Sequence, residues 1–126
     1  MPAPRLNLVV LRVADMVRAA AFYELLGFKF ERHCHGSGPL HYSAEVNGVV
    51  FELYPATADQ GNSASTRIGF AVDEVDALVA RLAEYPEAKI VSAPRDSEWG
   101  RRAVVADPDG HRVELMAATG VERVME

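Results

Sequence analysis

Two glutamates of this 126-residue chain sit in one recurring setting. Asn47-Gly48-Val49-Val50-Phe51-Glu52-Leu53 is answered 62 residues later by Asp109-Gly110-His111-Arg112-Val113-Glu114-Leu115. A carboxylate so placed can ligate a cation, act as a general base or pair with arginine. The side chains able to work with the pair are His41, Tyr54, Arg12, Arg67 and Trp99. His41 suits contact with a metal or an organic ligand, or equally a packing role with its ring nitrogens satisfied internally. Tyr54 and Trp99 offer aromatic walls to a pocket, Trp99 alternatively anchoring a loop. Arg12 would hold an anionic group, or pair with Glu45 or Glu52. His33 and His35 flank Cys34 on one side of a strand, a spacing that suits a metal and also an exposed sheet edge. Cys34 has no expected base or helix N-terminus beside it to activate a thiolate. Of Arg101 and Arg102, one should face inward. No phosphate-cradling glycine loop, nucleophilic triad order or paired-cysteine motif is present.

The elements that position these groups follow from pattern. Residues 6–13 are β-branched and of strand length, Asp15 stands as an N-cap, and residues 16–26 carry apolar residues at helical spacing up to Gly27. A second strand is expected over 28–35, then a Gly36–Pro39 turn. A hairpin follows, residues 41–46 and 49–54 around Asn47-Gly48, with Pro55 as its stop. Residues 56–65 read as a polar linker. The order then repeats: a strand over 66–72, Asp73 as N-cap, an amphipathic helix over 74–85, and strands over 89–93, 101–106 and 111–116. Val13-Ala14-Asp15 parallels Ala71-Val72-Asp73 at the two strand-to-helix junctions. The fold class is α+β: a duplication of two tandem βαβββ modules, about 5–55 and 66–119.

Alternation along the strands sorts the candidates by face. Around Asn47-Gly48, Ser43 pairs with Glu52 and His41 with Tyr54. Tyr42, Ala44, Val46, Val49, Phe51 and Leu53 then face a helix. His41, Ser43, Glu45, Val50, Glu52 and Tyr54 share the opposite face, as do Leu8, Val10 and Arg12. In the second module Arg67, Gly69, Ala71, Arg112, Glu114 and Met116 face away from the helix. A face that is polar without being uniformly charged suits a ligand-holding sheet.

Composition limits the function classes. Thirteen Lys and Arg against eighteen Asp and Glu leave a net charge of −5, which argues against a nucleic-acid binder. No apolar run reaches membrane-spanning length, so no membrane partner is expected. A single cysteine and the lack of a signal-peptide pattern at the start point to the cytoplasm.

The stretches Leu11–Asp15, Ala19–Phe28, Phe51–Pro55, Phe70–Asp76 and Asp107–Leu115 resemble the vicinal oxygen chelate superfamily of glyoxalases, bleomycin-resistance proteins and extradiol dioxygenases. The resemblance spans nearly the whole chain. It implies that the modules' sheets curl into a U-shaped cleft, and that the protein is a homodimer. In metal-using relatives the cleft holds a divalent cation, and the ligand positions fall here on Leu8, Glu52, Arg67 and Glu114. Leucine has no donor atom and arginine stays protonated, so two of the four positions cannot ligate. Arg67 would instead supply the positive charge between the glutamates.

The expectation is therefore a small-molecule-binding protein without a cofactor, its ligand held by His41, Tyr54, Arg67, Trp99 and Arg12. The alternative is a divalent-metal-dependent lyase, isomerase or dioxygenase with Glu52, Glu114 and His41 as its catalytic residues. A protein–protein module would need an exposed apolar patch, and nothing in the sequence marks one.

Overall fold

In the computed structural model, residues 3–34, 36–59, 61 and 63–117 are described; His35 lies outside them. The chain divides into two compact units, Met1–Ser63 and Ala64–Glu126. Among the described residues no helix is long and apolar enough to cross a membrane.

The first unit runs β1 (Leu8–Val13), α1 (Met16–Leu25), β2 (Glu31–His33), β3 (His41–Val46), β4 (Val49–Pro55). Its sheet has the order β1-β4-β3-β2, with β1 parallel to β4 and the other pairs antiparallel. Asn47 (φ 52°) and Gly48 (φ 83°) both take left-handed backbone, the conformation a two-residue hairpin turn needs. The turn sets the register: Val46 opposes Val49 and Ser43 opposes Glu52. Leu11, Val13, Ala44, Phe51 and Leu53 are buried with Phe22 and Tyr23 of the helix. The rings of Tyr23 and Phe51 meet edge-on at 5.0 Å.

Asp15 caps α1, its Oδ1 accepting from the N–H groups of Val17 (3.0 Å) and Arg18 (3.2 Å). At the other end, Gly27 N–H donates to Glu24 O and Phe28 N–H to Tyr23 O, around a left-handed Gly27 at φ 112°. This cap explains why β2 is only three residues long rather than the expected 28–35. The Phe28 N–H is spent on the helix, and the Phe28 and Phe30 rings pack on Phe51 at 5.2 and 6.0 Å.

The second unit runs β5 (Arg67–Val72), α2 (Val75–Ala83), β6 (Lys89–Ser97), β7 (Gly100–Ala106), β8 (Arg112–Ala117), in the order β5-β8-β7-β6. Its register repeats that of the first: Leu8 opposes Val50, and Arg67 opposes Arg112. Strand β6 extends four residues beyond the expected Ala93. As an edge strand it tolerates Pro94, and two register shifts keep it paired to β7.

The expected cap at Asp73 is corrected. Register aligns Val72 with Val13, so Glu74 rather than Asp73 corresponds to Asp15. Glu74 is the N-cap residue of α2, but its longer side chain makes no capping hydrogen bond.

The turn from β7 to β8 is organised by a buried pair. Asp107 Oδ2 lies 2.7 Å from His111 Nδ1, and Oδ1 accepts the N–H groups of Asp109 and His111 at 3.0 Å each. Both side chains are fully buried. Removing the carboxylate strands several buried donors at once. Asp107→Ala is expected to lower stability by about 2–3 kcal/mol in urea unfolding. Asp15→Ala should cost about 1 kcal/mol. Asp73→Ala, with no cap to lose, should stay within about 0.5 kcal/mol of the parent.

Candidate functional site

The non-helix face of each sheet is a small grid, set by strand pairing. In the first unit one row across the sheet is Arg12, Tyr54, His41, His33, one residue from each strand. The four side chains form a continuous stack. The Arg12 guanidinium lies 4.9 Å from the Tyr54 ring centroid. Tyr54 and His41 are parallel at 4.3 Å and 6°, and His41 and His33 follow at 5.8 Å and 19°. Cation–π contact and stacking hold such a row together.

His41 is buried. Its Nδ1 lies 3.2 Å from the Pro39 carbonyl, which can only accept, so Nδ1 carries the proton. Nε2 is 3.8 Å from Glu52 Oε2, an ion-pair distance when the ring is protonated and too long for a direct hydrogen bond. His33 lies on the edge strand β2 and is partly exposed; its ring stacks on His41, and its Nε2 lies 3.5 Å from Glu31. Arg12 does not pair with Glu45 or Glu52. It donates to the Pro55 carbonyl at 3.4 Å and covers Tyr54.

In the second unit the grid is different. One row is Arg67, Arg112, Ala106, Lys89, the next Gly69, Glu114, Val104, Ser92, and the third Ala71, Met116, Arg102, Arg95. Glu114 lies between the two cationic rows and takes a partner from each. Arg102 Nη2 is 2.5 Å from Oε1, and Arg67 Nη2 is 3.4 Å from the same oxygen. The Arg102 hydrogen bond is the main cause holding the Glu114 carboxyl below its ordinary pKa. Burial opposes it, and Arg67 adds to it. Arg101, one residue earlier, points to the helix side, where it bridges Asp76 and Asp96 at 3.2 Å each. Arg102 is therefore the inward arginine of that pair.

Trp99 stands in the turn between β6 and β7. The turn is tied by Ser97 Oγ, which donates to Gly100 O at 2.6 Å and accepts the Trp99 N–H at 3.2 Å. Trp99 is 42% exposed. It lines an open groove of about 560 Å³ with Ser97, Glu98, Arg102 and Glu114. Arg102 escaped sequence reasoning as a site residue; the strand parity that separates it from Arg101 was the available signal.

The chain belongs to the Glyoxalase/Bleomycin resistance protein/Dioxygenase superfamily, whose family model matches residues 5–115. Solved structures agree. TnmS3, an antibiotic binding protein from Streptomyces sp. CB03234, is 26% identical with a TM-score of 0.75, over 93% of this chain and 98% of that one. A glyoxalase/bleomycin resistance protein from the same Streptomyces is 26% identical with a TM-score of 0.70, over 89% and 99%. The trypanothione-dependent glyoxalase I of Leishmania major is 25% identical with a TM-score of 0.73, over 98% and 93%. No curated protein matches the chain.

The divalent cation used by metal-dependent relatives does not fit the residues present. Leu8 has no donor, Arg67 is a permanent cation, and Glu114 is already engaged by two guanidiniums. Among the described residues no three His, Cys, Asp or Glu side chains gather to hold a metal ion.

A carboxylate with a lowered pKa contributes stability above its unfolded value and loses it as pH falls through the folded one. Glu114→Gln should therefore be less stable than the parent by about 1 kcal/mol at pH 7. The gap should close as pH falls below about 4. Denaturant midpoints measured from pH 7 to 3 read this directly.

Proposed function

We propose that this protein binds a small organic molecule on its polar sheet faces and does so without a metal. The observation that carries this reading is the charge arrangement at Glu114. Where a metal-using relative would need a carboxylate open to a cation, Arg102 and Arg67 already supply positive charge. A guanidinium cannot leave that position by deprotonation, so a cation would have to displace it against like-charge repulsion. The antibiotic-binding relative of the same fold lends support to the binding role. Arg12, Tyr54, His41, Arg67 and Trp99 are the side chains assigned to the ligand. The proposal includes the homodimer and the cytoplasmic setting that the sequence suggests.

One observation favours a second reading. Among the described residues Glu52 has no arginine partner, and it lies near His41, so this pair is the place where acid–base chemistry would be found. A metal-dependent lyase, isomerase or dioxygenase would use Glu52 together with Glu114.

Metal content and thermal shift separate the two. Protein purified without chelator should hold well under one equivalent of Mn, Fe, Ni or Zn. Its Tm should move by less than about 1 °C when Ni²⁺ or Mn²⁺ is added, because only a ligand of the native state raises Tm. About one tightly held metal ion per chain, with a rise in Tm on reloading, would establish the enzyme reading instead.

A further inference from the structure

The net charge of −5 conceals a strongly basic surface. The non-helix face of the second sheet carries Lys89, Arg95, Arg102, Arg112 and Arg67 against Glu114, with Glu98 a second carboxylate in the groove beside Trp99. Between the cationic rows the floor is small or apolar apart from Glu114: Gly69, Val104 and Ser92. Gly69 leaves that floor bare. Gly69 is exposed, and the three atoms nearest a Cβ there all belong to Glu114, at 3.9 Å. Glu114 uses one N–H edge of Arg102 and one of Arg67. Each guanidinium has five N–H donors, so most remain available. Arg67 is half-exposed. At one end of this face the tied turn presents Trp99 over the groove it shares with Arg102 and Glu114.

An exposed indole beside surplus guanidinium donors has a complementary ligand of definite chemistry. We propose that this face binds a planar aromatic anion, such as an aryl carboxylate. The ring packs against Trp99, and the anionic group takes the unused N–H donors of Arg67 and Arg102. The indole supplies stacking area, which any flat ring can use. The guanidiniums supply bidentate recognition of the anion and select against neutral and cationic analogues. Glu114 holds both guanidiniums in place and leaves the cluster of three with one net positive charge. This inference rests on the small-molecule reading above and narrows it to one ligand class.

Trp99 is the only tryptophan in the chain, so its fluorescence reports on this groove alone. The test titrates the full-length protein with 4-nitrobenzoate, 4-nitrobenzamide and 4-nitrobenzylamine, whose nitroaromatic ring quenches indole, and with acetate as a competitor, all at constant ionic strength. Saturable quenching by 4-nitrobenzoate at least tenfold tighter than by the amide is the expected result. In Arg67→Gln the acid should lose about fivefold or more while the amide is unchanged. Equal binding of acid and amide, tighter binding of the amine, quenching that never saturates, or full displacement by equimolar acetate would each overturn the proposal. None of these outcomes touches the metal-free reading, which falls only to metal content and the metal-induced rise in Tm.

Discussion

A carboxylate that is four-fifths removed from water on a sheet face cannot stand alone, and the partner that Glu114 has determines what its surroundings can do. Its partners are two arginines drawn from strands on either side, β5 and β7. Both are held by the ladder: Arg67 sits one register step from Gly69, the residue opposite Glu114, and Arg102 one step from Val104. The cluster is therefore a product of strand register as much as of charge. Because guanidinium never gives up its proton at physiological pH, the arrangement is permanent in a way that a histidine or lysine version would not be. A divalent ion approaching Glu114 would meet two guanidinium charges of its own sign.

The two units share topology and register, yet their corresponding faces carry opposite charge. In the first, Glu31, Glu45 and Glu52 oppose Arg12, with two histidines in the stack. In the second, five cations oppose Glu114. The two faces together are net positive, so the acidic residues that bring the whole chain to a net charge of −5 lie elsewhere. Inferences drawn from net charge alone therefore miss the second face. The aromatic content differs as well. The first face spends Tyr54, His41 and His33 on one another in a closed stack, whereas the second holds Trp99 at its margin with the indole open to solvent.

Much of the fold was legible because local signals dictated it. Asn47-Gly48 is a turn whose φ values few other residues adopt, and with that turn placed, the pairing of Ser43 with Glu52 and the stacking of His41 on Tyr54 follow by counting. The duplicated Glu-Leu context placed Glu52 and Glu114 on equivalent positions for the same reason. What escaped depended on competition between elements. Phe28 could extend a strand or close the helix before it, and the helix took its N–H. Asp73 looks like Asp15 in sequence, but the parallel with Val13-Ala14-Asp15 was one residue out of step with the ladder. The choice between Arg101 and Arg102 hung on the exact turn between β6 and β7, which a glutamate and a tryptophan do not announce as Asn-Gly does. The partnership of His33 with His41 needed the third strand pairing, whose register no short-range motif specifies.

The division of labour between the two sides of each sheet explains how such different chemistry can occupy one scaffold. The helix-facing residues Leu11, Val13, Phe51 and Leu53 in the first unit, and Val105, Val113 and Leu115 in the second, are almost wholly buried. Burying each contributes on the order of 1.5–3 kcal/mol. The opposite face is mixed, since Val104, Ala106 and Met116 are buried there too. Leu8 and Trp99 are exposed large apolar residues, and Arg67 is half in water. Exchanging one such residue for another leaves the core and the ladder intact, since strand parity keeps the two faces independent. A leucine or an arginine can thus stand at such a position with little effect on folding. Membership of the superfamily accordingly fixes the βαβββ frame, and the side chains on the exposed face decide the ligand.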